Sequence, residues 1–447
     1  MKILLVQPPS NIMLNRRESK RCMPPLGLAY IAGYMRSLGH EVKIYDMIAE
    51  GYFKENTFSY DKNFGFYYTE NGDYIEYGEW NIVPVLEEFK PDIVGVSCIT
   101  SQRHFQACNI IRMVKRYNKN IITIIGGNHP SCLPDLVIKD CEDCLDYLVI
   151  GEGEYAMREI VLNHVSKGIV DLKFHPNLDD LPFPAHDLLP LTTYQKIWKE
   201  TQYFNSKGKK YTATSTSRAC VNHCEHCNYE TVFGKKWRRR SLSNIEEEIK
   251  VIKNLGIEEI QLYEYNGFVD KQYMYDVACL MKKYNMQWNV AAGVWIKQLD
   301  KNFIYHLKDC GMNCIDLAIE SPFEDVINTM PGKDVNIDHV LKIIECCKES
   351  NLYTNAFFMI GFPNQTLKQM WNTVIWAKDL NLDTCVFFID QPLPGTVLWN
   401  KIKFIDNFHP FMLRYGKCNI KSDKWTPEQV ENIRYQGRRI FIESKNL

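Results

Sequence analysis

Ser217-Arg218-Ala219-Cys220-Val221-Asn222-His223-Cys224-Glu225-His226-Cys227 places three cysteines in the pattern C-x3-C-x2-C within one short stretch. Soft thiolates at this spacing can each take a separate iron of one cubane cluster. Three protein ligands leave the fourth iron open, and an open metal position implies an exchangeable ligand and chemistry. The same residues admit a second reading, a zinc knuckle of three cysteines closed by His223 or His226. Context weighs against it, because the stretch follows a strand-like run, Tyr211 to Ser215, and precedes a regular alternation of strand and helix signals.

The spacing resembles that of the radical S-adenosylmethionine (SAM) enzymes. The resemblance implies a 4Fe-4S cluster on Cys220, Cys224 and Cys227, whose open iron takes the amino and carboxylate groups of SAM. In that family the reduced cluster cleaves SAM to a 5′-deoxyadenosyl radical. The residue before the third cysteine is often aromatic there; here it is His226.

Downstream, the runs 211–215, 259–263, 288–292, 314–318, 353–359 and 383–389 read as six strands separated by helical segments such as 243–254. Six such units make a partial (βα)6 barrel over 211–400, with chemistry expected at the carboxyl ends of the strands. The resemblance places Glu264, Glu320, Ser321 and Gly361 at those ends as SAM contacts. Two positions depart from the family pattern. Lys297 is the nearest cation where an arginine is common after the third strand, and Gln365 stands where a glutamate often follows the fifth. Trp237-Arg238-Arg239-Arg240-Ser241 reads either as a solvated helix lead-in or as a basic face for an anionic substrate or a flavodoxin or ferredoxin-type electron donor. Residues 401–447 read as a small helical cap.

Upstream, short runs rich in Val, Ile, Leu and Tyr (2–6, 42–45, 93–97, 121–125, 147–150) alternate with amphipathic segments such as 26–38 and 103–117. That alternation predicts an α/β, Rossmann-like doubly wound sheet over 1–165, with ligands bound beyond the strands' carboxyl ends. The loops found there resemble the cobalamin-binding domain that precedes the barrel in the B12-dependent branch of the radical SAM family. The implied cobalamin contacts are Pro8, Pro9, Pro25, Leu26, Gly27, Ser97, Thr100, Gly126, Gly127, Asn128, His129, Glu152, Gly153 and Glu154. Glycines let backbone amides approach a large ligand, and small hydroxyls can bond its amide arms. Asp-x-His-x-x-Gly is missing after the first strand, so either His129 or His104 replaces that histidine or cobalt carries none. A generic nucleotide-binding domain is the competing reading, weakened by the absence of Gly-x-Gly-x-x-Gly. Phe64 to Tyr68 and Tyr74 to Tyr77, flanking Asn71-Gly72, read as a hairpin. Residues 166–210, punctuated by Leu181-Pro182-Phe183-Pro184, read as a linker.

At 447 residues the chain has room for two or three full cores, and a formal net charge of −1 argues against binding nucleic acid by phosphate neutralisation. Sixteen scattered cysteines without an apolar leader point to a reducing, cytoplasmic setting. No run is long enough for a membrane span. Cys141-x2-Cys144 reads as core rather than as a redox pair, as does Cys346-Cys347. The resemblance as a whole implies a cobalamin-dependent radical SAM enzyme, most simply a methyltransferase acting on an unactivated carbon of a small-molecule or peptide substrate. A cyclase of the same architecture and a corrinoid-binding module without radical chemistry remain as alternatives.

Overall fold

Strands covered by helices on both faces must be apolar throughout, and the Val/Ile-rich runs of this chain become such strands. The computed structural model describes residues 1–13, 20–61, 65–69, 72–172, 174–201, 209–327 and 336–445. They form two compact units: 1–212 with 231–234 and 409–411, and the remainder.

The first unit contains β1 (Lys2–Gln7), β2 (Ser10–Met13), β3 (Glu41–Asp46), β4 (Glu55–Asp61), β5 (Gly65–Tyr68), β6 (Tyr74–Tyr77), β7 (Ile93–Ser97), β8 (Ile122–Gly126), β9 (Tyr147–Ile150) and β10 (Gly168–Asp171). Six of them form one sheet in the order β10-β9-β8-β7-β1-β3. Every pairing is parallel. The order reverses between β1 and β7, so the crevice for a ligand lies beyond the ends of these two strands. Leu4, Val6, Val94, Val96 and Ile125 anchor the core beneath it.

Three sequence expectations change here. Residues 166–210 are not a bare linker, because Gly168–Asp171 adds a sixth parallel strand and Leu191–Thr201 is a helix. Trp198 and Tyr194 of that helix are buried, and Trp198 Nε1 donates to the Cys22 carbonyl at 3.2 Å. The strand escaped notice because it is an edge strand in which only Val170 is buried. The expected hairpin is also different. β5 and β6 both pair with β4, on opposite sides, and β6 pairs on with β2, which the sequence reading had left as loop. Phe64 and Asn71 of that expectation lie outside the described residues.

The second unit contains β11 (Tyr211–Thr214), β12 (Ser217–Arg218), β13 (Arg238–Arg239), β14 (Glu259–Leu262), β15 (Gln287–Val290), β16 (Met312–Glu320), β17 (Tyr353–Ile360) and β18 (Thr384–Ile389). Its six-stranded sheet runs β11-β14-β15-β16-β17-β18 in chain order, as successive right-handed βα units require. The intervening helices start where the sequence supplies a cap. Side chains of Ser241, Asp270, Asp300, Asn336 and Thr366 each accept the backbone N–H three residues on.

The C-terminal segment is more than a cap. Its helix, Pro427–Ser444, packs so closely that a Cβ on Gly437 would lie 2.8 Å from Val374 Cγ2, and Arg434 Nε donates to the Phe387 carbonyl at 3.1 Å. The helix therefore completes the outer layer over β18.

Candidate functional site

The cysteine loop is held by its flanks. Ser217 and Arg218 pair antiparallel with Arg239 and Arg238, which fixes where the loop departs. Ala219 then adopts φ +70°, a left-handed turn that redirects the chain into Cys220. Cys220 is 7 % exposed and its Sγ lies 3.4 Å from the Asn222 amide and 3.5 Å from Asn266 Nδ2. Donors at these positions suit a thiolate, and hydrogen bonds to cluster sulfurs tune reduction potential. The Tyr229 hydroxyl lies 2.6 Å from the Cys220 carbonyl, and the Tyr229 ring stacks on Tyr265. Cys224 packs against Val326 and Phe362.

His223 Nδ1 pairs with Glu230. Among the described residues, the one trio of donors drawn together as a single ion requires lies elsewhere, at Cys279, His306 and Cys310. Thiolates on separate irons of a cubane lie farther apart than the donors of one ion, and a loop of three cysteines is compatible with that arrangement.

Glu264, expected as a SAM contact, is 1 % exposed and turned toward the cysteine loop. Its carboxylate accepts from the amides of Thr216 and Ser217 and from the Ser217 hydroxyl. Burial pushes its carboxyl upward while these hydrogen bonds oppose the shift. The Tyr273 hydroxyl lies 3.0 Å from the Thr216 carbonyl and 2.8 Å from that of Arg240. Arg240, part of the basic run, is 4 % exposed and paired with Glu248. Arg239 pairs with Asp270 at 2.7 Å, so two of the run's cations are structural.

Glu320 sits at the end of β16, where the register with β17 shifts at a bulge, and it has φ +67°. A non-glycine residue costs of order 1 kcal/mol or more in that region, and such strain persists where it aims a side chain. Ser321 follows, fully buried, with its Oγ accepting from the Phe323 amide at 3.2 Å. At the end of β17, Gly361 has φ +85°, and its amide donates to Gln365 Oε1 at 2.9 Å. Gln365 thus closes the turn with an amide oxygen where a carboxylate was expected.

The sequence reading missed Asp390, directly after β18. It is fully buried, neither carboxylate oxygen has a side-chain partner, and its amide donates to the Ile360 carbonyl at 2.8 Å. Burial, then the Glu320 charge, pushes its carboxyl up to about 8, with the Gln391 amide pulling the other way. An isolated Asp in a strand-end loop carries no sequence signal. Two acids converging at the ends of β16 and β18 favour a cationic ligand such as the SAM ammonium. The pH consequence follows. Unfolded Asp390 loses its proton near pH 4, the folded residue near pH 8, so stability falls as pH rises across that window and levels off above it. Asp390→Asn removes the fall. In urea titrations of SAM-free protein the stability of the variant relative to wild type is expected to rise by about 4 kcal/mol between pH 5 and pH 8.5. Parallel pH profiles would contradict this.

In the first unit the loops after β7 and β8 are laced together. Ser97 pairs with Gly126, the Cys98 amide donates to the Gly126 carbonyl at 2.8 Å, and the His129 amide to the Cys98 carbonyl at 3.1 Å. Gly127 has φ +113° and a Cβ there would lie 2.8 Å from the Cys98 carbonyl oxygen, so only glycine fits. Ser97, Gly126, Gly127 and Asn128 are half-buried at the crevice side, and Thr100 is exposed. Gly27 is exposed with open space where a Cβ would point, whereas a Cβ on Gly153 would lie 2.7 Å from Ile31 Cδ1. Gly153 thus serves helix packing. Pro8, Pro9 and Pro25 are buried, Leu26 is half-buried and opens the first helix, and Glu154 is 5 % exposed. Glu152 Oε2 accepts from the His175 amide at 3.0 Å. A separate open cleft of about 660 Å³, lined by Trp80, Gln106, Arg112 and Glu142, takes only Pro9 from the expected cobalamin contacts.

His104 and His129, the two candidates for a cobalt ligand, are engaged with each other. His129 Nε2 lies 2.9 Å from His104 Nδ1, His129 Nδ1 2.9 Å from Ser101 Oγ, and His104 Nε2 2.7 Å from Asp140 Oδ2. The network assigns the tautomers: His104 donates to Asp140, His129 donates to His104, and Ser101 donates to His129. Burial and then the His104 charge push His129 down to about 3, so it stays neutral. Every ring nitrogen of the pair has a hydrogen-bond partner that a metal would have to displace. Cob(II)alamin bound to this protein is expected to show no nitrogen superhyperfine splitting by electron paramagnetic resonance. Splitting that disappears in His129→Ala or His104→Ala would overturn the assignment.

Comparison with known proteins agrees with this division of the chain. The B12 binding domain family matches residues 67–161, and the radical SAM superfamily matches residues 214–377. An uncharacterized methyltransferase of Pyrococcus horikoshii is 29% identical over 418 residues, covering 89% of this chain and 82% of that protein. Cytidylyl-2-hydroxyethylphosphonate methyltransferase of Streptomyces wedmorensis is 24% identical over 493 residues, covering 98% of this chain and 90% of the relative. The fold is shared with the radical S-adenosylmethionine methyltransferase TsrM from Kitasatospora setae, solved with cobalamin and a 4Fe-4S cluster bound: TM-score 0.63 at 14% identity, over 90% of this chain and 74% of that one. No helix among the described residues is long and apolar enough to cross a membrane.

Proposed function

We propose that this chain, which carries a B12-binding domain followed by a radical SAM domain, is a cobalamin-dependent radical SAM methyltransferase acting on an unactivated carbon. The observation that carries the reading is a C-x3-C-x2-C loop within a radical SAM match, in a chain that also has a B12-binding domain. When bound, the cluster with SAM supplies hydrogen abstraction, and cobalamin supplies a transferable methyl group. The chain's own residues bind and orient. Cys220, Cys224 and Cys227 ligate iron, Asn266 steadies the Cys220 sulfur, and Glu320, Ser321, Gly361 and Asp390 form the strand-end cradle for SAM. The crevice loops Ser97–Thr100 and Gly126–His129, with Gly27, receive the corrinoid. A small-molecule or peptide substrate and a flavodoxin or ferredoxin-type electron donor complete the system.

The test is stoichiometry. One SAM must be cleaved to start each turnover and another must give up its methyl group, so 5′-deoxyadenosine and S-adenosylhomocysteine are expected in equal amounts, two SAM per product. Deoxyadenosine without matching S-adenosylhomocysteine, and no label in product from methyl-deuterated SAM, would reject methyl transfer in favour of a cyclase. A reduced protein that consumes no SAM would leave only a corrinoid-binding module.

A further inference from the structure

Cys279 and His306 lie on two adjacent helices of the second unit's outer layer, Lys271–Lys283 and Lys301–Asp309, and Cys310 caps the C-terminus of the second, all away from the cysteine loop in sequence. His306 and Cys310 are four residues apart, which puts them on one helix face. Cys279 Sγ lies 3.8 Å from His306 Nε2 and Cys310 Sγ lies 3.5 Å from it, and the three donor atoms all fall within 4.8 Å of one another. A tetrahedral zinc with Zn–S ~2.3 Å and Zn–N ~2.0 Å has S···N edges of roughly 3.6 Å and an S···S edge of roughly 3.8 Å. Two edges match in length; Cys310 Sγ also lies 3.8 Å from His306 Nδ1, so a turn of the imidazole to aim Nε2 between the sulfurs, with a rotation of the exposed Cys279 side chain, completes the site.

We propose that Cys279, His306 and Cys310 bind one zinc ion, with an exchangeable solvent ligand in the fourth position, so that the ion clips these two helices together. Binding converts two thiols to thiolates and releases two protons, leaving a site whose two negative charges balance the ion. The clip has a fixed base. Cys310 is buried, its carbonyl accepts from Trp288 Nε1 at 2.9 Å, and Gly311 after it turns with φ +89° into β16. His306 Nε2 also lies 3.2 Å from the Tyr275 carbonyl, and its ring stacks on Tyr275. That carbonyl belongs to the 271–283 helix, so Nε2 can leave it for a metal without orphaning it. Zinc is favoured over magnesium or calcium by the soft donor set.

The experiment uses the full chain carrying Cys220→Ala, Cys224→Ala and Cys227→Ala, so that zinc cannot enter the cysteine loop and the result is independent of the proposed reaction. After anaerobic purification this protein is expected to hold about one zinc per chain, and to lose it in Cys279→Ser, an exposed position where folding is not at risk. His306→Gln is the second variant and should behave alike. Cobalt(II) substitution should give a thiolate charge-transfer band and tetrahedral d–d absorption, both absent in Cys279→Ser. Removing zinc with a chelator should lower Tm by several degrees. Less than a tenth of a zinc per chain, or equal zinc in all variants, would overturn the proposal, as would a Cys279–Cys310 disulfide in metal-free protein that zinc with reductant does not displace.

Discussion

Replacing Cys220, Cys224 and Cys227 together by alanine is expected to leave a folded chain that holds no four-iron cluster and cleaves no SAM, a complete loss of activity. The fold should survive because the loop is braced by backbone pairing of 217–218 with 238–239 and by Glu264, none of which needs a thiol. The cluster should not survive, because its donors are gone and the neighbouring imidazoles do not replace them. His223 is committed to Glu230, and His226 stands edge-on to the Phe362 ring at 6.4 Å. Iron and sulfide analysis with electron paramagnetic resonance of the reduced protein reads the first expectation, and deoxyadenosine formation the second. A full cluster in the triple variant would refute the ligand assignment.

Glu264→Ala is expected to cost about 3–5 kcal/mol and to cut iron incorporation sharply without touching a ligand. The substitution removes the acceptor of three hydrogen bonds and leaves the amides of Thr216 and Ser217 buried and unpaired, each worth ~1–3 kcal/mol. Against a typical total of ~5–15 kcal/mol, that is a large share, and it falls on the turn that launches the cysteine loop. Glu264→Gln keeps one acceptor oxygen and should fall between. Urea titration with iron content per chain decides the matter. Normal stability and iron, combined with weakened SAM binding, would return Glu264 to the SAM-contact role that its position after a barrel strand first implied.

Glu264 shows why strand-end acids are legible in kind and not in role. Their placement follows from counting strands, since a residue just past an apolar run must lie at the carboxyl end. Direction is another matter. Glu264 turns back under the loop, and Glu320 is held in a left-handed conformation by a bulge. Glu264 depends on partners 47 and 48 residues away and Glu320 on a strand partner, Phe358, 38 residues on, and no local pattern encodes them. Glu320 acts electrostatically on Asp390, and an isolated acid in a loop says nothing until β16 and β18 are part of one sheet.

The sequence by itself determined the cluster motif, the two-unit α/β order, and most strand and helix positions. Spacing of thiols, periodicity of apolar residues and helix caps such as Ser241 and Thr366 are local properties, readable within a few residues. It also left the choice between His104, His129 and no histidine on cobalt open. The tertiary structure bears on that choice by giving every nitrogen of both rings a hydrogen-bond partner in Ser101, Asp140 or the other ring, which supports the reading with no histidine on cobalt. Tertiary structure alone decided the edge strand Gly168–Asp171, the pairing of β4 with both β5 and β6, and the meeting of Cys279 with His306 and Cys310. Each is a partnership between residues distant in sequence, and a hydrogen bond or a shared metal needs its donors within a few ångströms, a condition only the folded chain imposes.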